Sequence, residues 1–157
     1  QVAFPATQVA SGDANTLDDY EEGTFTPSIG DSGLDGSGEG QAYSKQVGRY
    51  TKIGNRVFFS LRVAISNLGT MTAGDHTAVM GLPFTSNSAT DSHSAVHVGL
   101  ATSMALGTAG YSVAGRVPTN AAYIALVLWD STTSLTGLLI SEVSVGADLV
   151  ISGHYEV

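Results

Sequence analysis

The chain has 157 residues, no cysteine, and only 13% charged residues, about half the roughly 25% usual for globular domains. Fourteen Asp and Glu against six Lys and Arg give a net charge of −8, a balance that argues against nucleic acid or an anionic membrane surface as partner. Without cysteine, disulfides, thiolate nucleophiles and thiolate metal sites are excluded.

Hydrophobic residues make up 43% of the chain, too many for a disordered segment. The length suits one domain. The longest apolar run, Ala121 to Trp129, is strand-sized and far short of the ~18 residues of a membrane span. The sequence starts at Gln1 without a methionine or signal peptide and is read as part of a longer protein. Ser, Thr and Gly together account for 53 of 157 residues. Small polar side chains must therefore cover much of the surface, or the surface must be hidden against copies of the chain.

Residues 1–40 hold eight acids and no Lys or Arg. They read as an extended N-terminal lead. Thr16 to Glu22 suits one helical turn, with Thr16 as N-cap and Asp19 in the first turn. Gly30 to Gly40 is an acidic, glycine-rich loop. No Gly-Lys-Ser/Thr follows it, so it is not a phosphate cradle.

Residues 41–62 hold five bases, Lys45, Arg49, Lys52, Arg56 and Arg62, and no acid. An acidic lead followed by a basic hairpin invites pairing, within one chain or between neighbours. Arg49 to Ile53 reads as a short strand and Gly54-Asn55 as a tight turn. Val57, Phe59, Leu61, Val63 and Ile65 then share one strand face; Arg56, Phe58, Ser60, Arg62 and Ala64 share the other. Further strands are expected at His76–Met80, Ser94–Met104, Tyr111–Val117, Tyr123–Trp129, Leu138–Val145 and Leu149–Val157. Tyr123 to Trp129 is apolar on both faces. In an antiparallel sheet a second covered face suggests a partner subunit. Short strands with Gly, Ser and Thr turns predict an all-β, antiparallel β-sandwich, jelly-roll-like, over residues 41–157.

Chemistry is sparse. The carboxylates of Asp18-Asp19-Tyr20-Glu21-Glu22 lie too close in one loop to flank a glycosidic bond. They also lack the spacing of a calcium loop. Asp91, His93 and His97 share a strand face, but residues four apart in a strand are about 13 Å apart, too far for one ion. No Gly-x-Ser-x-Gly elbow occurs. Neither catalytic residues, a metal site nor a cofactor is assigned. Carbohydrate recognition needs aromatics to stack on sugar faces and polar side chains to bond hydroxyls. Trp129 and Asp130 at a strand end, Asn120 and Tyr123 at a strand start, and Asp91 and His93 in a polar loop are the candidates.

Four stretches carry a resemblance. They are Leu17-Asp18-Asp19-Tyr20-Glu21-Glu22-Gly23-Thr24-Phe25-Thr26-Pro27, Gly48-Arg49-Tyr50-Thr51-Lys52-Ile53-Gly54-Asn55-Arg56-Val57, Gly81-Leu82-Pro83-Phe84, and Ile151-Ser152-Gly153-His154-Tyr155-Glu156. In this order they resemble the C-terminal region of bacteriophage tail fibre and tailspike proteins. The resemblance implies a homotrimeric, virion-borne tip attached to an upstream fibre shaft. Outside the cell, that tip contacts a bacterial surface glycan such as an O-antigen or capsule. It implies no catalytic residues. Leu17, Asp18, Asp19, Tyr20, Glu21, Glu22, Arg49 and Arg56 become expected trimer or stem contacts. The expected function is non-enzymatic receptor binding. A structural trimerisation cap and a glycan-modifying esterase or hydrolase are the alternatives.

Overall fold

A computed structural model describes residues 19–31, 39–107, 112–130 and 134–157. The strands are β1 (Tyr20–Phe25), β2 (Ser28–Gly30), β3 (Ala42–Ile53), β4 (Arg56–Asn67) and β5 (Ala78–Met80), then β6 (Ser94–Met104), β7 (Ser112–Val117), β8 (Tyr123–Asp130), β9 (Ser134–Gly137) and β10 (Val143–Glu156). One 3₁₀ turn, Ile140–Glu142, precedes β10. The fold is all-β, and every strand pair is antiparallel.

The expected jelly-roll-like, antiparallel β-structure takes the form of one curled sheet. Its order is β1-β3-β4-β10-β6-β7-β8-β5-β2, with β9 on β8. β1 and β2 lie at opposite ends of this path, yet only Thr26 and Pro27 separate them in sequence. Three Cα steps span at most about 11 Å, so the two edges of the sheet must approach each other. Side chains of β3 hold them there. The Tyr43 hydroxyl donates to the Ile29 carbonyl and accepts from its N–H, both at 3.0 Å. Gln46 Nε2 donates to the Pro27 carbonyl at 3.0 Å. The corner lies at β6, which pairs with β7 only through Ser94, Ala95 and Val96 and otherwise runs with β10.

The core fills the curl. Val57, Phe59, Leu61, Val63 and Ile65 of β4 point inward, as their alternation predicts. Leu149, Ile151 and Tyr155 of β10 and Ile124, Leu126 and Leu128 of β8 meet them there. Burying each such side chain contributes about 1.5–3 kcal/mol.

The lead departs from its expected local structure. Tyr20, Glu21 and Glu22 belong to strand β1, not to a helical turn; Thr16 lies outside the described residues. Pairing with β3 overrides the local helical signal. Two aromatic rings lie over glycines across this ladder, Tyr50 over Gly23 and Phe25 over Gly48. A Cβ at either glycine would sit 2.6 Å from the ring. Leu138–Val145 also differs, because Leu138 precedes the 3₁₀ turn and Val143 begins a strand that continues to Glu156.

Candidate ligand-binding surface

The four motif stretches converge in space. Asp19 forms an ion pair with Lys52, whose ammonium lies 5.7 Å from the centre of the Phe84 ring. Tyr50 packs edge-on to the same ring at 5.4 Å, and its hydroxyl bonds the Glu21 carboxylate. That bond, with some burial, pushes the Tyr50 phenol up to about 12. Arg56 pairs with Glu156 at 2.5 Å. These contacts tie the lead, the β3–β4 hairpin, the Gly81–Phe84 segment and the C-terminal strand into one structural knot. Asp19, Glu21 and Arg56 thus have partners within the chain. Tyr20 bonds Glu22. Leu17 and Asp18 lie outside the described residues. Arg49 projects from the outward face, opposite Thr24 on β1 and Ser60 on β4.

The predicted ligand residues do not form one cluster. Trp129 is 59% exposed on the outward face of β8, opposite Leu135 of β9, itself 50% exposed. Tyr123 is half-buried on that face but six residues away, about 20 Å along the strand. It lines a groove of about 380 Å³ with His76, Arg116, Val127, Leu135 and Gly137. Asp130 ends β8 opposite Ser134. Asn120 stands at the other end of the sheet with a left-handed φ of 51°, and its N–H donates to the Asn87 carbonyl at 3.1 Å. The same carbonyl accepts from the Ser92 hydroxyl at 2.9 Å. Asp91, with φ of 63°, and His93 sit in that turn and at its exit, both exposed.

Arg116 connects two of these groups. Its Nη1 lies 3.3 Å from His93 Nδ1, and it also lines the Tyr123 groove. Sequence reasoning missed it because 23 residues separate it from His93. Also missed was a second surface, around Phe58. This ring is 46% exposed and lies 5.7 Å from the His154 ring. Its signal was legible: a large aromatic among Arg56, Ser60 and Arg62 on the polar face of β4.

Among the described residues, no group of three or more His, Asp or Glu is placed to hold a metal ion. No helix there is long and apolar enough to cross a membrane.

No protein-family model and no curated protein sequence matches the chain. A solved structure does: the Dettilon tailspike protein (gp208) superposes with a TM-score of 0.68 over 87% of this chain, at 18% identity. The fold is tailspike-like. The match covers 24% of that tailspike's length, so the likeness concerns one part of a larger protein and speaks to architecture alone.

Proposed function

We infer that the chain is a non-enzymatic host-attachment domain of a phage tail fibre or tailspike, carried on the virion and binding a bacterial surface polysaccharide. The observation that carries this reading is the tailspike-like fold across 87% of the chain. The sequence resemblance agrees with it. The segment before Asp19 would lead from an upstream shaft into the sheet.

A homotrimer fits the surface. Trp129 and Leu135 form an exposed apolar strip on β8 and β9. A partner subunit covering it would supply the second buried face that the Tyr123–Trp129 sequence calls for. Three copies of a weak glycan site on one rigid tip also gain avidity without new contacts.

The test is a bacterial glycan array with the purified chain, followed by competition for phage adsorption. Binding and blocked adsorption are expected. A trimer that binds no glycan and blocks nothing would instead be a trimerisation cap. Release of acetate or reducing sugar from a bound polysaccharide would overturn the non-enzymatic reading.

A further inference from the structure

Charge is unevenly spread over the outward face of the sheet. Lys45, Arg49, Arg56, Arg62 and Arg116, five of the six bases, stand on it. Arg62 is held by Asp148 at 2.6 Å and Arg56 by Glu156 at 2.5 Å. Glu22, at the β1 edge, is bonded by Tyr20. Among the described residues Arg49 and Arg116 have no carboxylate partner. Arg116 instead touches His93, and Asp91 stands two residues before that histidine.

Between these two arginines the ladder registers line up hydroxyls and rings. One row crosses three strands as Thr51, Phe58 and His154. The next, two residues along each strand, runs Arg49, Ser60, Ser152 and His97. The rows are about 7 Å apart, and Arg49 lies about 14 Å from His97 across the strands. The Phe58–His154 pair separates two shallow depressions. One, of about 250 Å³, is lined by Arg49, Thr51, Phe58 and Ser60. The other, of about 330 Å³, is lined by Arg56, His93, Ser94, His154 and Glu156.

We propose that this face of β3, β4, β10, β6 and β7 binds an acidic polysaccharide, with Arg49 and Arg116 taking its carboxylates and Phe58 packing against a sugar ring. The proposal rests on the glycan-binding reading above and deepens it. The guanidinium fork matches a carboxylate's two oxygens. Exposed hydroxyls on Ser60 and Ser152 and the half-buried one of Thr51 match sugar hydroxyls. The depressions are shallow and follow one another across the strands, which suits a chain of sugars better than an enclosed small molecule. Two arginines without a carboxylate partner among the described residues, in a chain of net charge −8, fit scattered carboxylates, one every few sugars, and not a continuous phosphate backbone.

The experiment uses the full 157-residue chain. Purified uronate- or sialate-containing bacterial polysaccharides are each presented beside their own carboxyl-reduced, neutral counterparts, and affinity is read by electrophoretic retardation. At least one acidic polymer should bind roughly tenfold more tightly than its reduced form, the size of one charge-assisted contact. Binding should weaken as salt rises. Arg49→Glu and Arg116→Glu should each lose it with melting temperature and mass unchanged. Phe58→Ala should weaken it. Equal binding to acidic and reduced forms, or full binding by both arginine variants, would overturn the proposal and leave glycan binding standing. No binding to any polysaccharide would remove both readings. Arginine variants that lose mass in light scattering would show a second copy on this face and overturn it too.

Discussion

The Tyr155 hydroxyl bonds both backbone groups of Phe84, donating to its carbonyl at 3.1 Å and accepting from its N–H at 3.3 Å. Tyr155 is fully buried in the last strand. It therefore pins the Gly81–Phe84 segment to the C-terminal end of the chain. Phe84 in turn receives Tyr50 and Lys52 from β3. Two of the four motif stretches are thus joined by one phenol, and a third packs on the residue it holds.

Tyr155→Phe should lower stability by about 1–3 kcal/mol, because both Phe84 backbone groups lose their partner while the ring remains. Urea unfolding at neutral pH measures this. The pH dependence has a defined sign. Burial pushes the Tyr155 phenol up to about 12, above the ordinary value of about 10. The neutral form is the one folding favours. Its stabilisation is complete below about pH 10 and is lost as pH rises through about 12. Tyr50, also raised to about 12, titrates in the same window. The variant should show a shallower alkaline loss than the parent. An equal loss in both would assign the alkaline transition to Tyr50 alone.

Gly48→Ala tests how the lead is fastened. The added methyl would meet the Phe25 ring at 2.6 Å, so the ring must leave its place. Among the described residues, β1 has no ladder partner other than β3. Hydrogen exchange should rise over Tyr20–Phe25 while β4 and β10 stay protected. Loss of protection throughout would show instead that β1 is needed for the core.

The core was legible in the sequence; the curl was not. Period-two alternation marks the inward face of β4, and Ser94–Met104 appears as a strand with the bounds that the structure gives. β10 reads as two pieces because Gly146, at a φ of 91°, and a register shift between Val143 and Asp148 interrupt its alternation. β1 reads as a helical turn because its acids and Gly23 carry no strand propensity; only the partner β3 makes it a strand. Closure depends on Tyr43 reaching Ile29 and Gln46 reaching Pro27, contacts between side chains that no periodicity records. At the surface, sequence reasoning found residue types that suit sugars. It did not find their grouping, because His93 and Arg116, or Phe58 and His154, meet only through the sheet.

Arg62→Gln should change acid sensitivity more than neutral stability. Bidentate bonding from Arg62 holds the Asp148 carboxyl below its usual range. A depressed carboxyl contributes stability above its unfolded value, about 3.9. That contribution is lost as pH falls through the folded value. Parent and variant should therefore differ modestly at neutral pH, as exposed pairs do, and converge toward the acid end. Melting temperatures across the acid range check this; a gap that persists at the lowest pH would point to packing by the arginine stem instead.

Trp129 is the chain's only tryptophan, which makes it a direct reporter of subunit contact. Within one chain its side chain is 59% exposed, and Leu135 beside it is 50% exposed. A monomer should emit at the long wavelength of a hydrated indole. A trimer that covers the β8–β9 strip should emit at shorter wavelength and resist quenching by iodide. Diluting the chain through its dissociation range should move the emission red in step with the fall in mass by light scattering. Leu135→Ser, which removes apolar area from the proposed contact but keeps the reporter, should shift both transitions to higher protein concentration. A trimer whose Trp129 stays red and fully quenchable would place the subunit contact elsewhere and return Trp129 and Tyr123 to the ligand surface.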